Sequence, residues 1–374
     1  MTSLNSNIKR VVLKVGSSSL VDSHGVLDPE RIYDLATQIT ELIRAKYEVV
    51  LVTSGAIAAA IKPLGLSSRP SDVPTLQACA SVGQVSLINQ YAQAFGVHHL
   101  NVGQVLLTRN ETGSRTAYLH ARDTIERLLE LGVVPIVNEN DTVAVEEIRF
   151  GDNDSLAAIV GVLVSADLVV ILSDIEGLYT ADPHKDPNAK LIEKVESIDD
   201  ELIALAGGSA SKVGTGGMIT KLWAARALQM AGIDMIICQG RTPHIAVDAV
   251  KGTAKCTHFV ANKAQKHESA RKMWIGFAGH DAGSVIIDDG AREALYTKGG
   301  SLLPVGVVEV EGTFARGDII AVRDTSGQLI ARGITRYSSQ EAMLTRGMKL
   351  DMVARVVPEL AGEVVLHRDE LVVF

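Results

Sequence analysis

A glycine-rich stretch runs directly into a lysine-bearing helix in the segment SKVGTGGMITKLWAA, residues 211–225. The three glycines between residues 214 and 217 free the backbone for positive φ angles and for a close approach to a ligand. From Met218 onward, apolar residues recur at helical spacing on one face: Ile219, Leu222, Trp223, Ala227 and Met230. Lys221 falls on the opposite face, so we expect it outside the apolar core. Because the first turn of a helix already carries a partial positive charge, a lysine there is unfavourable unless an anion such as phosphate binds.

The spacing of this segment excludes two common phosphate-binding motifs. A Walker A loop has its lysine directly after the last glycine and then a serine or threonine, whereas Lys221 comes four residues after Gly217 and precedes Leu222. The segment also lacks the G-x-G-x-x-G pattern. A glycine-rich turn followed by a solvated lysine would have the same residues. The segment alone therefore leaves phosphate binding and a plain turn as two open interpretations.

Polar residues gather where predicted strands end. The clusters comprise Lys14 to Ser18, Thr53 to Ala56, Asn138 to Asp141, Asp152 to Asp154, and Ser173 with Asp174. Each cluster taken alone could be a turn or a helix cap, because Ser, Asp and Asn favour those positions. Ligands of open α/β sheets bind beyond the carboxyl ends of the strands. The convergence of five clusters at that edge therefore predicts a ligand site.

Phosphoryl transfer accounts for this combination of residues, because its catalysis consists of positioning and electrostatic stabilisation. Lys14 and Lys221, from separate segments, would flank the transferred group. Asp154 would lie between the lysines and hold both ammonium groups in place. The backbone N–H groups of Gly16 and Gly55 would cradle the phosphoryl group. The remaining polar groups would bind an acceptor that carries ammonium and carboxylate groups.

The elements that must position these residues alternate between strand and helix over the first two-thirds of the chain. Strands rich in Val, Ile and Leu are predicted at residues 8–16, 48–55, 100–108, 132–140, 166–174 and 233–240. Helices are predicted between them, for example at residues 31–45 and 116–132. This alternation predicts a three-layer α/β/α sandwich with a mainly parallel sheet. After a polar stretch near residues 260–280, short strands separated by glycines predict a small β-rich module.

Composition narrows the class of protein. A length of 374 residues favours two domains, and 47% hydrophobic with 21% charged residues is typical of globular proteins. The net charge of −8 disfavours broad binding to nucleic acid or membranes, and no apolar run approaches the roughly 20 residues that span a bilayer. Three widely spaced cysteines without a C-x-x-C pair predict reduced thiols and a cytoplasmic protein. The ten histidines show no metal-ligand spacing, so we expect no protein-built metal site.

Several motifs occur in an order that resembles a known family. They are KVGSSSL, TSGAIAAA, VPIVNENDTVAVEEIRFGDNDSLAA, SDIEGLYTADP and GTGGMITKLWAA. The later segments GGSLLPVGVVEVEGTFARGDIIAV and ARGITRYSSQE are similar to a PUA domain. Together they resemble the glutamate 5-kinases, a branch of the amino acid kinase family, from about Ile8 to the C-terminus. The resemblance implies an amino acid kinase domain at residues 1–262, a linker at 263–278 and a PUA domain at 279–374.

The resemblance also implies roles for individual residues. Lys14 would be the lysine at the ATP phosphates, Lys221 the second catalytic lysine, and Asp154 the aspartate that orients both. The implied glutamate-binding residues are Ser54, Gly55, Asn138, Asp141 and Asn153. The implied nucleotide-binding residues are Lys14, Gly16, Ser173, Asp174, Thr215, Gly216, Gly217, Met218, Ile219, Thr220 and Lys221. Ser173 stands where the family pattern has threonine, which keeps the hydroxyl group.

The implied reaction is ATP-dependent phosphorylation of the γ-carboxylate of L-glutamate in the first step of proline biosynthesis. Mg²⁺ would accompany ATP, held by phosphate oxygens and water. The resemblance further implies inhibition by proline, a homo-oligomer (dimer or tetramer), and glutamate-5-semialdehyde dehydrogenase as functional partner. Two alternatives stay open: a kinase for acetylglutamate or aspartate, and a non-catalytic amino-acid sensor or RNA-binding PUA protein. RNA binding is disfavoured because residues 276–374 contain fourteen acidic and only ten basic side chains.

Overall fold

The computed structural model of the chain describes residues 8–22, 25–108, 115–143, 153–183, 185–199, 202–203, 217–261 and 281–373. These residues divide into two compact units. The first unit contains the described residues up to 261, and the second contains those from 281 onward. Each unit has its own hydrophobic core.

The first unit alternates strands and helices, as its sequence pattern predicts. Its strands are β1 (Arg10–Val15), β2 (Glu48–Val52), β3 (Val102–Leu107), β4 (Val134–Glu139), β5 (Leu168–Ser173), β6 (Lys194–Val195), β7 (Asp234–Gln239) and β8 (Cys256–Phe259). Its helices are α1 (Ser17–Leu20), α2 (Pro29–Arg44), α3 (Ala56–Ile61), α4 (Val73–Gly96), α5 (Arg115–Glu130), α6 (Asp154–Leu163), α7 (Met218–Met230) and α8 (Ile245–Lys251). The six predicted strands are all observed, with bounds that are shorter at one or both ends.

Among the described residues, the strands of this unit form one eight-stranded sheet in the order β3-β4-β2-β1-β5-β7-β8-β6. Every neighbouring pair is parallel except β7 and β8, which are antiparallel. The four central strands β4, β2, β1 and β5 are therefore adjacent, and their carboxyl ends lie at one edge. This edge is where polar residues follow each strand in the sequence.

Helices cover both faces of the sheet. Val11, Leu13 and Val15 of β1 point to one face, where they share a core with α2, α4 and α8. The side chain of Val169 in β5 points to the opposite face, where α6 packs against it. Alternate residues of a strand point to opposite faces, so strands covered on both sides are apolar throughout. The predicted three-layer α/β/α sandwich with a mainly parallel sheet is confirmed.

Helix α2 shows how the sequence sets an element of this sandwich. The carboxylate of Asp28 accepts a hydrogen bond from the backbone N–H of Glu30 at 3.0 Å, and Pro29 occupies the first helical position. Both features favour a helix start. The buried residues Ile32, Leu35, Ala36, Ile39 and Leu42 then recur at helical spacing. Local capping and periodicity therefore agree on where the helix begins and which face it buries.

The second unit is rich in strands, as predicted for a PUA domain. Its strands are β9 (Gly283–Ile287), β10 (Val307–Gly312), β11 (Ile319–Asp324), β12 (Leu329–Thr335) and β13 (Leu366–Val373). Its helices are α9 (Asp289–Lys298), α10 (Ser339–Thr345) and α11 (Leu350–Val356), with 3₁₀ turns at Pro304–Gly306 and Pro358–Leu360. The described strands form a sheet in the order β10-β9-β11-β12-β13, around a core that includes the fully buried Tyr337.

Within the described part of the chain, no helix combines the length and the apolar character that crossing a membrane requires.

Candidate active site

Two lysines from distant parts of the chain meet at one carboxylate. Lys14, near the end of β1, donates from Nζ to Oδ1 of Asp154 at 2.6 Å. Lys221, in the first turn of α7, donates from Nζ to Oδ2 of the same residue at 2.9 Å. Asp154 is the first residue of α6 and is only 1% exposed, and both lysines are buried. The structure therefore contains the predicted pairing of both lysines with Asp154.

Electrostatics keep this carboxylate ionised. Burial raises the pKa of Asp154, but the charges of Lys14 and Lys221 and their hydrogen bonds outweigh burial, so the pKa is lowered below its usual value. The hydroxyl of Thr220 adds a longer contact of 3.2 Å to Oδ2. One carboxylate between two ammonium groups leaves a net positive charge in a buried place. Such a place favours an anion with several oxygens.

The prediction that Lys221 lies outside the core is wrong. Lys221 is only 6% exposed, whereas Ile219, Trp223 and Met230 of the expected apolar face are only partly buried. The buried face of α7 instead carries Leu222, Ala224, Ala225 and Leu228 together with Lys221. The ion pair with Asp154 is the physical reason, because it satisfies a charge that apolar burial alone would exclude.

Asn153 connects the ends of two strands next to the ion pair. Its Nδ2 donates to the carbonyl oxygen of Thr53 at 2.6 Å, to Oγ of Ser54 at 3.0 Å and to Oδ1 of Asn138 at 3.0 Å. Asn138 in turn donates from Nδ2 to Oε1 of Gln84, in α4, at 2.8 Å. These contacts fix the carboxyl ends of β2 and β4 relative to the start of α6.

A cavity of about 360 Å³ opens beside this network. Its lining includes all five residues predicted to bind glutamate: Ser54, Gly55, Asn138, Asp141 and Asn153. Gly55 has a φ of 100°, a left-handed conformation that suits glycine, and it caps the start of α3. The structure thus brings the five together, while their role in binding stays a prediction.

The predicted nucleotide-binding residues lie around the neighbouring strand ends. Ser173 ends β5, and its hydroxyl donates to Oδ1 of Asp174 at 3.0 Å. Gly16 follows β1, and its backbone N–H has a long contact of 3.5 Å with the carbonyl oxygen of Leu172. Gly217 caps α7, and Met218, Ile219, Thr220 and Lys221 form its first turn. The predicted residues Thr215 and Gly216 lie outside the described residues.

The site contains three further residues to which the sequence pattern assigned no individual role. Arg69 and Glu139 line the cavity, and Gln84 supports Asn138. Glu139 belongs to a polar cluster at a strand end, so its position gave a signal. Arg69 and Gln84 come from a loop and a helix interior, and their neighbours in sequence show no pattern that points to a site.

The fold and the paired lysines define a phosphotransferase of the amino acid kinase class, and the sequence comparisons agree. Residues 9–239 match the amino acid kinase family, and residues 283–357 match the PUA domain. The glutamate 5-kinase of Geobacter sp. (strain M21) is 46% identical over 365 residues, which cover 98% of this chain and 97% of that protein. The glutamate 5-kinase of Herminiimonas arsenicoxydans is 44% identical over 372 residues and 100% of both chains. The chain therefore belongs to the amino acid kinase family and, within it, to the glutamate 5-kinases.

Among solved structures, the carbamate kinase of Giardia lamblia bound to AMP-PNP has a TM-score of 0.49. It is 18% identical, and the similarity covers 69% of this chain and 100% of that one.

Proposed function

We propose that the protein transfers the γ-phosphoryl group of ATP to the γ-carboxylate of L-glutamate and forms γ-glutamyl phosphate, the first step of proline biosynthesis. The observation that carries this proposal is the convergence of Lys14 and Lys221 on the two oxygens of Asp154, beside a polar cavity. Membership of the glutamate 5-kinases supports glutamate as acceptor. No observation of comparable weight favours acetylglutamate or aspartate as the acceptor, and none favours a purely sensory role.

The transfer proceeds by displacement at the γ-phosphorus. An oxygen of the substrate γ-carboxylate forms the new P–O bond, the bond to the β,γ-bridging oxygen breaks, and ADP leaves with that electron pair. Lys14 and Lys221 flank the transferred group and stabilise the charge on its oxygens. Asp154 holds the two ammonium groups at a fixed spacing. Asn153 and Gly55 position the acceptor carboxylate at the adjoining edge of the cavity.

The nucleotide is assigned to the edge formed by β1, β5 and the start of α7. In this proposal Gly16 and Gly217 approach the phosphates with their backbone N–H groups. Ser173 and Asp174 position the remainder of the nucleotide, together with Thr215 to Thr220. The adjacency of β1 and β5 supports this assignment, because it places Gly16 beside the end of the strand that carries Ser173.

Mg²⁺ is proposed to accompany ATP. The described residues include no cluster of three or more His, Cys, Asp or Glu side chains that could hold a metal ion. Phosphate oxygens and water are the ligands that we propose for this ion. No catalytic step is assigned to a protein-bound metal.

Trapping of the acyl phosphate tests the reaction. Incubation with ATP, Mg²⁺, hydroxylamine and L-glutamate should yield γ-glutamyl hydroxamate, and N-acetylglutamate or aspartate should yield far less product. Lys221→Ala should abolish the product, whereas Lys62→Ala, an exposed lysine after α3, should leave it unchanged. The absence of hydroxamate with wild-type protein and glutamate would contradict the proposal.

Further proposals concern partners and organisation. Helix α4 contains no charged residue in 24 positions, although Val82 and Val85 are exposed. An uncharged surface with exposed apolar side chains supports a homo-oligomer, either dimer or tetramer.

We propose proline as feedback inhibitor, glutamate-5-semialdehyde dehydrogenase as functional partner, and a cytoplasmic location. Neither RNA nor a membrane is proposed as a partner, since the net charge is −8. The proposed domains remain residues 1–262 and 279–374, joined by a linker at 263–278.

A further inference from the structure

One arginine lines the cavity, on a loop between two helices. Arg69 lies between the end of α3 at Ile61 and the start of α4 at Val73. Among the described residues that line the cavity, it is the only lysine or arginine. Two acidic residues, Glu139 and Asp141, line the same cavity. The cavity thus combines one cation with carboxylates, which is the charge pattern that complements the zwitterionic head of an amino acid.

The cavity is distinct from the place where the phosphoryl group is expected. Lys14, Lys221 and Asp154 do not line it, whereas Asn153, next to Asp154 in the chain, does. Arg69 therefore belongs to the acceptor side of the site, and the phosphate charges already have two ammonium groups of their own. A guanidinium group on the acceptor side has one chemically matched partner in an amino-acid substrate, a carboxylate that does not react.

We propose that Arg69 binds the α-carboxylate of the acceptor and thereby selects an amino acid with a free α-carboxyl group. This inference rests on the proposed function. Guanidinium and carboxylate groups form two parallel charge-assisted hydrogen bonds, which fix orientation as well as affinity. With the α-carboxylate held at Arg69 and the α-ammonium group at the acidic residues, the side-chain carboxylate extends toward Asn153 and the paired lysines.

The loop that carries Arg69 is anchored on both sides. Leu66 and Val73 pack against a small apolar cluster made by α3 and α4, which consists of Ile57, Ala60, Leu76, Cys79 and Ala80. Asp72 caps α4 by accepting a hydrogen bond from the backbone N–H of Thr75 at 2.9 Å. The three residues Ser67, Ser68 and Arg69, which all line the cavity, thus lie between two fixed points. Anchoring of this kind lowers the entropic cost of ordering an exposed arginine on a substrate.

Steady-state kinetics with two acceptors test this role. L-glutamate and its α-amide both carry the reacting γ-carboxylate, but only glutamate carries the α-carboxylate. The variants are Arg69→Gln, Arg69→Lys, and Lys62→Gln as a control, because Lys62 is an exposed cation close to the same loop that does not line the cavity.

We expect Arg69→Gln to raise the KM for glutamate by about 10- to 100-fold, with kcat and the KM for ATP changed by no more than about 2-fold. The preference of the enzyme for glutamate over its α-amide should shrink by the same factor, because the lost contact is absent from the amide complex. Arg69→Lys should give an intermediate KM, since lysine keeps the charge without the two parallel bonds. Lys62→Gln should behave like wild type.

An unchanged KM for glutamate in Arg69→Gln, or an unchanged preference between the two acceptors, would overturn the role of Arg69 while leaving the kinase activity in place. A fall in kcat with unchanged KM would also overturn it. Failure of the wild-type protein to phosphorylate glutamate would instead contradict the proposed function itself. The two failures are therefore distinguishable in one set of assays.

Discussion

At the scale of single residues, Asp154 determines the electrostatics of the site. Two ammonium groups at 2.6 and 2.9 Å from its oxygens would repel each other strongly without the carboxylate between them. With the carboxylate in place, the cluster carries a net charge of +1. This charge attracts phosphate, and it is small enough for both lysines to remain buried. Catalysis and stability are therefore linked at this residue.

Asp154→Asn should lower both activity and stability. The amide cannot neutralise Lys14 and Lys221, so we expect kcat to fall by about 100-fold or more, and the free energy of unfolding by about 3 kcal/mol. Hydroxamate assays and urea unfolding measure the two effects. The isosteric control Asp34→Asn, at an exposed position of α2, keeps an oxygen that can accept the hydrogen bond from Nε2 of Gln38, so it should leave kcat unchanged and affect stability far less than Asp154→Asn. Near-normal turnover in Asp154→Asn would show that the lysines do not depend on this carboxylate.

Residue types at strand ends could be predicted from the sequence, and so could one set of their contacts. The pairing of Lys14 and Lys221 with Asp154 followed from chemistry, since two cations near one phosphate need a counter-charge. The burial of Lys221 could not be predicted, because helical periodicity reflects only the spacing of apolar residues. It carries no information about an ion pair formed with another element. Arg69 gave no signal either, because a loop residue acquires its place in a cavity only through the packing of its flanking helices.

At the scale of elements, close packing of α3 on α4 supports one wall of the cavity. A Cβ atom at Gly83 of α4 would lie 1.7 Å from the carbonyl oxygen of Ala56 and 2.9 Å from the backbone nitrogen of Ala60. The two helices can therefore approach only because this position has no side chain. Gly55 and Ala56 at the start of α3 line the cavity, so a displacement of α3 would change the shape of the cavity.

Gly83→Ala should push α3 away from α4 and widen the cavity. We expect a loss of about 1–3 kcal/mol in the free energy of unfolding, as in other overpacked interiors, and a higher KM for glutamate with little change in the KM for ATP. Gly96→Ala is the matched control in the same helix, because a Cβ atom there meets nothing within 4 Å. Thermal unfolding and kinetics compare the two. Equal behaviour of the two variants would contradict the packing argument.

Helix α10 in the second unit offers a pH test of a capping contact. Ser338 and Glu341 form a capping box, and Arg316 pairs with the carboxylate of Glu341. The hydrogen bond from Arg316 lowers the pKa of Glu341 to about 2, although burial opposes it. A carboxylate whose pKa is depressed by folding stabilises the protein above its unfolded pKa, and this contribution is lost as the pH falls through the folded pKa.

Glu341→Gln should therefore be less stable than wild type at pH 7, by no more than about 1 kcal/mol. The difference should shrink as the pH falls from 4.5, the ordinary value for glutamate, toward 2. Urea unfolding at several pH values measures it. Glu359→Gln is the control, because Glu359 approaches the same arginine at 3.7 Å but is largely exposed. A difference that grows on acidification would contradict the assignment.

Strongly patterned elements were predictable, whereas short ones were not. The six apolar strands and α2 follow from periodicity and capping. The two-residue β6 and the four-residue β8 escaped prediction because segments so short carry no periodic signal, and they become strands only by pairing at the edge of an existing sheet.

At the scale of the whole molecule, each unit buries its own apolar residues. The first unit has a core built on β1, α2 and α4, and the second has one around Tyr337. Every described residue assigned to the site lies in the first unit. Units with separate cores can in principle fold separately. The site should therefore need only the first unit.

A chain that ends after residue 267, the end of the first unit, should keep glutamate-dependent ATP turnover, with both KM values within about 3-fold of wild type. Circular dichroism and gel filtration establish that the shortened chain is folded before kinetics are compared.

Tyr337→Ala in the full chain is a second test, because losing this fully buried side chain should destabilise the second unit by about 3–5 kcal/mol. Turnover should then persist at temperatures where the second unit has unfolded. A folded but inactive shortened chain, together with loss of turnover in Tyr337→Ala as the second unit unfolds, would mean that the second unit contributes to the active state.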